Sequence, residues 1–130
     1  MDTPLQLTIA KLELKQLEMI ERLSEKHNDY VVRIIQSSVT DKFVAVNGDW
    51  ELVTGIKENN CIGKSWENII PNKELVNVFK HIEDIKKYDN FDCFISNLIT
   101  KDNRYLSVNW KGKYFPEING LIFIGRVKRS

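Results

Sequence analysis

The hydrophobic pattern predicts a leading helix, because residues 5–26 hold no Gly or Pro and repeat apolar residues at helical spacing. One face of this helix carries the larger apolar residues Leu5, Ile9, Leu12, Met19, Ile20 and Leu23. A second, narrower stripe holds Leu7, Ala10, Leu14 and Leu17. A surface helix needs only one apolar stripe. The second stripe therefore indicates contact both with its own domain and with another chain.

A short heptad pattern runs through the same helix. Leu5, Leu12 and Met19 fit d positions, while Ile9 and Leu23 fit a positions. The remaining a position holds a glutamine, and a polar residue there can fix the register of two helices. We therefore predict residues 1–27 as an amphipathic dimerisation helix that uses these five apolar residues. The alternative is a helix that packs only on its own domain.

The remainder of the chain alternates between strand-like and helix-like segments. The period-2 pattern and turn residues predict strands at 30–38, 42–47, 91–100, 104–115 and 121–128. Helical segments are predicted between the second and third strands, at 49–56, 65–71 and 72–89. Strands divided into two sets around a helical middle are typical of an α+β domain with one antiparallel sheet. We assign residues 28–130 to that single domain.

Composition and charge narrow the function classes. The chain has 130 residues, 42% of them apolar, which suits one domain with one core. A formal net charge of +1 argues against a dedicated nucleic-acid binder. No signal peptide or apolar run long enough to span a bilayer occurs, so we expect a cytoplasmic domain with no membrane segment. Cys61 and Cys93 form neither a disulfide framework nor a CxxC pair, and we expect buried, reduced thiols.

Catalytic motifs do not appear in the sequence. A phosphate-binding loop, HExxH, GxSxG and a recognisable Cys-His pair are all missing. We therefore predict that the chain is not an enzyme. The alternative of this class is a small α+β-cone enzyme acting on an apolar substrate, which would need an inward acid or base near Trp50 or Trp110.

Three segments resemble the PAS (Per-Arnt-Sim) sensory domain family. They are "FVAVNGDWELVTGI", "CIGKSWENIIP" and the final strand "GLIFIGRVK". The resemblance covers about residues 30–128 and implies a five-stranded antiparallel sheet in the order 2-1-5-4-3, with short helices over one face. In that fold Trp50 and Trp66 would supply large apolar areas that pack short helices, which are not stable alone, onto the sheet. Gly55 and Gly63 would allow the tight reversals between those helices.

The resemblance also implies a lined space between the helices and the sheet. Its ligand-binding residues would be Trp50, Val53, Trp66, Ile70, Phe79, Ile82, Phe94, Ser96, Leu98, Leu106, Val108, Trp110, Phe123 and Val127. No Arg or Lys belongs to this set, which argues against a charged metabolite. A small apolar or aromatic ligand and a fully packed, ligand-free interior both remain open.

No cofactor is predicted. Light-oxygen-voltage members of the family bind flavin covalently through a "GxNC" motif, but "GKSW" stands here, with Trp66 at the Cys position. Positions that read the flavin ring in those members are apolar here: Leu98, Val108 and Val127. Some members ligate haem through a His on the long helix, where this chain has His81. A haem-binding redox or gas sensor is therefore kept as an alternative.

Isoleucines on the opposite face of the predicted sheet need cover of their own. They are Ile95, Ile99, Ile122 and Ile124, and a sheet that is apolar on both faces must be covered on both. The leading helix and a second subunit would share that cover, so we predict Ile122 and Ile124 in a homodimer interface. The resemblance implies a regulatory domain working with an output partner such as a histidine kinase, a cyclic-dinucleotide enzyme or a transcription regulator.

Overall fold

A five-stranded antiparallel sheet forms the body of the domain. The computed structural model describes residues 29–88 and 92–128. The strands are β1 (Tyr30–Ser37), β2 (Phe43–Gly48), β3 (Asp92–Ile99), β4 (Tyr105–Phe115) and β5 (Gly120–Val127). Their order across the sheet is β2-β1-β5-β4-β3, which confirms the predicted order. The helix predicted for residues 1–27 lies outside the described residues.

Short helical segments connect β2 to β3. They are the helices α1 (Trp50–Thr54) and α2 (Leu75–Lys87) and the 3-10 turns Glu58–Asn60, Trp66–Asn68 and Asn72–Glu74; a further turn, Pro116–Ile118, joins β4 to β5. Helix α2 begins at Leu75, later than the predicted residue 72. The chain after Pro71 first forms a 3-10 turn, in which the Glu74 N–H donates to the Pro71 carbonyl at 2.9 Å.

Helix α1 is tied to the sheet by the residue that precedes it. The sequence suggests Asp49 as a helix cap, yet its side chain makes no capping hydrogen bond. Its carboxylate instead accepts a hydrogen bond from the Val31 N–H at 2.9 Å, and its own N–H donates to the Val31 carbonyl at 2.8 Å. Gly55 then ends the helix with φ of +74°, a conformation that glycine adopts without steric cost. A five-residue helix is thereby held in place by its two ends.

Both edges of the sheet are covered by neighbouring groups. On β2, the Phe43 N–H donates to the Lys64 carbonyl at 2.7 Å, and the Glu58 carboxylate accepts from the Val46 N–H at 3.3 Å. On β3, the Glu74 carboxylate accepts from the Asn97 N–H at 2.8 Å. Unpaired edge groups invite pairing with other chains. A glutamate on each edge satisfies one such group and limits that pairing.

The sheet carries a hydrophobic cluster on each face. The larger, inner cluster lies between the sheet and the helices, where Val78, Ile82 and Ile85 of α2 pack onto it. The smaller, outer cluster contains Ile35, Phe115, Ile118, Ile122 and Ile124. Strand β5 contributes alternate residues to both clusters, and seven of its eight residues are buried. The central strand therefore connects the two faces.

Candidate functional site

Trp66 lies at the centre of the space between the helices and the sheet. Its ring is 5.0 Å from Phe123, 5.2 Å from Trp110 and 5.5 Å from Phe43, measured between centroids, and 6.3 Å from Phe94. All four pairs are edge-to-face, an arrangement that aromatic quadrupoles favour. Aromatic side chains thus occupy the place where the family resemblance implies a ligand.

Each buried indole N–H has a specific partner. Trp66 Nε1 donates to Gln36 Oε1 at 2.6 Å, and Trp110 Nε1 donates to Ser96 Oγ at 2.9 Å. Trp50 Nε1 donates to the Cys61 sulfur at 3.1 Å. An unpaired buried donor costs about 1–3 kcal/mol, so these bonds fix how the three rings are oriented. Gln36, Ser96 and Cys61 each accept a hydrogen bond from one of the three tryptophans.

Two glycines on the inner face make room for the aromatic rings. A Cβ atom at Gly125 would lie 2.6 Å from Val108 Cγ1 and 2.7 Å from the Trp110 ring. A Cβ atom at Gly112 would lie 2.7 Å from the Phe123 ring. Contacts this short do not occur at real Cβ atoms, so any larger residue displaces a ring. The aromatic rings can pack this closely on the sheet because Gly112 and Gly125 have no side chains.

The predicted ligand-binding residues fall into three groups. Buried in the inner cluster are Trp50, Trp66, Ile70, Ile82, Phe94, Ser96, Leu98, Val108, Trp110, Phe123 and Val127. Val53 and Leu106 are partly buried and pack against that cluster. Phe79 is 43% exposed, contrary to its predicted place in the lining. Binding of a ligand by any of these residues stays a prediction.

Phe79 is displaced by the rotation of the helix. The buried residues of α2 are Val78, Ile82 and Ile85, which share one stripe. Phe79 follows Val78 and is therefore turned by about 100° around the helix axis, toward the flank. On that flank it lines a cleft of about 250 Å³ together with Gln36 and Trp66. The cleft opens between α2, the β1–β2 turn and the turn at Trp66–Asn68.

His81 is held against the third strand. Its Nδ1 atom lies 2.8 Å from a carboxylate oxygen of Asp92, and its ring stacks on Phe94 at 4.9 Å with an interplanar angle of 11°. The side chain is 28% exposed, so it sits at the margin of the domain rather than at the centre of the aromatic cluster. Two further ion pairs, Lys86–Asp41 and Arg104–Asp102, also lie at the periphery.

The two cysteines differ, although both were expected to be buried. Cys61 is buried, and that burial raises the pKa of its thiol, an effect that the hydrogen bond from Trp50 partly offsets. Cys93 is exposed, so the expectation was wrong for this residue. The reason is strand alternation: Phe94 points into the inner cluster, and its neighbour Cys93 therefore points out.

The outer face of the sheet is covered in its centre and open at one edge. Ile122 and Ile124, predicted to form a dimer contact, are 0% and 2% exposed in the single chain. Ile95, on the edge strand β3, is 65% exposed. The predicted partners Leu5, Ile9, Leu12, Met19 and Leu23 lie outside the described residues. The dimer contact itself stays a prediction.

The part of the chain that the structure describes contains neither a metal site nor a membrane-spanning helix. Within residues 29–88 and 92–128, no three His, Cys, Asp or Glu side chains are grouped so that they could hold a metal ion. No helix in those ranges is long and apolar enough to cross a membrane.

Gln36 is the residue of the interior that the sequence analysis missed. Val32 and Ile34 face the inner cluster, and alternation places Gln36 on the same face. A polar residue at an inward strand position needs a hydrogen-bonding partner. That rule would have predicted a buried donor such as a tryptophan opposite it.

Comparison with known proteins shows the fold. No family model and no curated protein matches the chain. The Drosophila melanogaster Cycle PAS-B domain with bound ethylene glycol aligns with a TM-score of 0.68 at 18% identity, covering 74% of this chain and 98% of that one. The Cronobacter turicensis RpfR quorum-sensing receptor PAS domain in complex with C12:0 aligns with a TM-score of 0.62 at 14% identity, covering 82% and 98%.

A third similar structure belongs to a larger protein. The Erythrobacter litoralis EL346 blue-light activated histidine kinase aligns with a TM-score of 0.62 at 12% identity. The alignment covers 78% of this chain but only 34% of the kinase. Together with the five-stranded sheet in the order β2-β1-β5-β4-β3, these likenesses show that the chain has the PAS fold.

Proposed function

We propose that this chain is a regulatory sensory and dimerisation domain of a signal-transduction protein. A change at the inner face, caused by a small apolar ligand or by a protein contact, would alter the packing around Trp66. Strand β5 would pass that change to the outer face. An output domain, such as a kinase, a cyclic-dinucleotide enzyme or a transcription regulator, would read the result.

The observation that carries the proposal is the double burial of β5. Phe123 touches Trp66 on the inner face, while its neighbours Ile122 and Ile124 are buried in the outer cluster. Side chains in a close-packed interior cannot shift without moving their neighbours. A displacement of Phe123 would therefore move the backbone that positions both isoleucines. Such a shift between two packings is how a sensor converts occupancy into a change of conformation.

The similar structures support a small molecule as one kind of signal. The Cycle PAS-B domain was solved with bound ethylene glycol and the RpfR PAS domain in complex with C12:0. In this chain the space between the helices and the sheet is filled by aromatic rings, so a ligand of the interior would have to displace one of them. Ligand binding there would be coupled directly to a change of packing.

Dimerisation through residues 1–27 and the outer face forms the second half of the proposal. The two apolar stripes of that segment suit one contact with its own sheet and one with a second copy. Ile122 and Ile124 would then lie under the helix, at the base of the interface. The exposed Ile95 on β3 offers further apolar area at the edge of this face.

Native mass spectrometry of the freshly purified protein tests both halves. We expect a dimer, a retained small molecule, or both. A strictly monomeric, ligand-free protein at high micromolar concentration would contradict the proposal. An absorption spectrum of the same sample tests the haem alternative. A strong visible band would indicate a bound cofactor as the sensing group, with His81 as the candidate iron ligand.

A further inference from the structure

We propose that the cleft between α2, the β1–β2 turn and the turn at Trp66–Asn68 binds a small planar molecule that carries a neutral amide group. The cleft has a volume of about 250 Å³, below the 300–1,000 Å³ typical of drug-sized ligands. A single ring with one polar substituent suits this space. Binding at this cleft does not depend on the proposed sensory function. Only the further step, that the bound molecule acts as a signal, rests on it.

The orientation of Gln36 supplies the first polar contact. Gln36 is 1% exposed, and its carboxamide oxygen must face Trp66 because an indole N–H is only a donor. The amide nitrogen therefore faces Asp41, whose carboxylate oxygen is 3.5 Å away, at the limit of a hydrogen bond. A carboxamide carries two N–H donors. This buried group thus has donor capacity to spare at the wall of the cleft.

Asp41 supplies an acceptor beside that donor. It adopts φ of +61°, a left-handed conformation that Asp tolerates better than most residues. The turn around it is fixed, because the Asp41 N–H donates to the Ser37 carbonyl at 2.9 Å, and Ser37 Oγ accepts from the Val39 N–H at 3.2 Å. These bonds fix the backbone of the turn, and the Asp41 carboxylate itself is contacted by Lys86 Nζ at 2.8 Å and Gln36 Nε2 at 3.5 Å.

The donor and the acceptor together match an amide edge. A ligand carbonyl would accept from Gln36 Nε2, and the ligand N–H would donate to the Asp41 carboxylate. Phe79, Ile82 and Trp66 line the same cleft. Trp66 and Ile82 are buried, so the exposed Phe79 would make most of the contact with the apolar ring. Phe79 is 43% exposed in the free protein, and a bound ligand would cover that apolar surface.

Charge at the cleft favours a neutral ligand over an anion. Its lining includes the acids Asp41, Glu67 and Glu83 and the bases Lys42 and Lys86. Lys86 is already paired with Asp41 at 2.8 Å. A carboxylate ligand would face an excess of negative charge and would leave Asp41 without a donor from the ligand. An amide avoids both costs.

Benzamide is the probe for this site, with benzoate and toluene as matched comparisons. We expect benzamide to bind the protein in the millimolar range, typical of a fragment with one anchored polar group. In ¹⁵N–¹H spectra it should shift the Gln36 side-chain amide and the Trp66 indole signals. Benzoate lacks only the N–H donor and should bind about 2- to 10-fold more weakly, as expected for loss of one hydrogen bond. Toluene lacks both polar groups and should bind more weakly than benzoate.

Variants on two walls of the cleft make the test specific. Asp41→Gly keeps the left-handed backbone and removes the acceptor, and Phe79→Ala removes part of the apolar wall; each should weaken benzamide binding about 2- to 10-fold. Gln36→Glu keeps an acceptor for Trp66 and removes the donors, with a similar loss. Val76→Ala, on the same helix but 82% exposed and outside the cleft, should bind benzamide as the wild type does.

Three outcomes would overturn the inference. They are unchanged benzamide affinity in both Asp41→Gly and Phe79→Ala, equal affinity for benzamide, benzoate and toluene, and shifts that map away from the cleft. Each of these outcomes is independent of whether native mass spectrometry shows a dimer or a retained ligand. Failure of the cleft site is therefore distinguishable from failure of the sensory function.

Discussion

The inner and outer faces of the sheet are both apolar, but they are built from different side chains. The inner face is aromatic, with Trp66 in edge-to-face contact with four rings and each indole N–H bonded to one partner. The outer cluster is mainly aliphatic, centred on Ile35, Ile122 and Ile124. Aromatic contacts and hydrogen bonds depend on orientation, whereas aliphatic burial depends mainly on area. The stability of the inner face should therefore be sensitive to small geometric changes, and that of the outer face to loss of buried apolar area.

If the chain has the proposed sensory function, this difference would also set the direction of signalling. A directional interior has few acceptable packings, so a ligand that enters it forces a discrete rearrangement. A less directional outer face can slide or repack at lower cost. Strand β5 is buried on both sides, so under the proposed function it would connect the face that receives the signal to the face that repacks.

Truncation at the centre of the inner face should have the largest effect. Trp66→Ala removes a fully buried ring and leaves Gln36 without its donor, so we expect a loss of about 3–5 kcal/mol in the free energy of unfolding. Urea unfolding measures it. Val76→Ala, 82% exposed on α2, is the control and should change stability by less than about 0.5 kcal/mol. Similar losses in the two variants would mean that Trp66 is not a core residue.

The outer face should show a sharp contrast between its centre and its edge. Ile122→Ala removes a fully buried side chain, and we expect a loss of about 2–5 kcal/mol. Ile95→Ala makes the same chemical change on a side chain that is 65% exposed, and it should cost less than about 0.5 kcal/mol in the monomer. Equal effects at the two positions would contradict the division of this face into a covered centre and an open edge.

Adding one methyl group tests the geometric sensitivity of the inner face. Gly125→Ala places a Cβ atom 2.6 Å from Val108 and 2.7 Å from the Trp110 ring, so we expect about 1–3 kcal/mol of destabilisation from overpacking. The Trp110 indole resonance should also move. Ser107→Ala, at an exposed position of β4, serves as the control. A stable Gly125→Ala variant with an unchanged indole signal would show that the interior is looser than described.

The smallest expected effect is a pH dependence that comes from Cys61. Burial raises the pKa of its thiol, so the folded chain keeps a proton that the unfolded chain loses above about pH 8.5. Stability should therefore fall as the pH rises past that value, because the unfolded state then binds fewer protons. The decline should persist in Cys93→Ser and disappear in Cys61→Ser, measured as urea midpoints. Iodoacetamide should label Cys93 first, and preferential labelling of Cys61 would contradict its burial.

Much of the fold was predictable from local pattern. Period-2 alternation and turn residues located the five strands, and the resemblance carried by "FVAVNGDWELVTGI" and "CIGKSWENIIP" gave their order. Strand alternation places Phe94 and Leu98 on one face of β3, and the family resemblance implies that this face, like Val108 on β4, is the inner one, as the structure shows.

The errors arose where position depends on three-dimensional contacts. Phe79 belongs to an apolar helix pattern, but only the docking angle of α2 decides which of two adjacent residues, Val78 or Phe79, is buried. The apolar neighbours of Cys93 predict burial, but the alternation of β3 turns this side chain outward. The cleft beside Phe79 brings together residues from Gln36 to Lys86, and no sequence pattern connects them.

The central claim is that a change of packing at Trp66 reaches the outer face through β5. Methyl NMR on the isoleucine side chains of wild type and Trp66→Phe measures this directly, since that substitution alters the inner face alone. We predict clear shifts of the Ile122 and Ile124 methyl signals and little change at Ile95 on the edge strand. Changes confined to residues of the inner cluster, with Ile122 and Ile124 unmoved, would contradict the account.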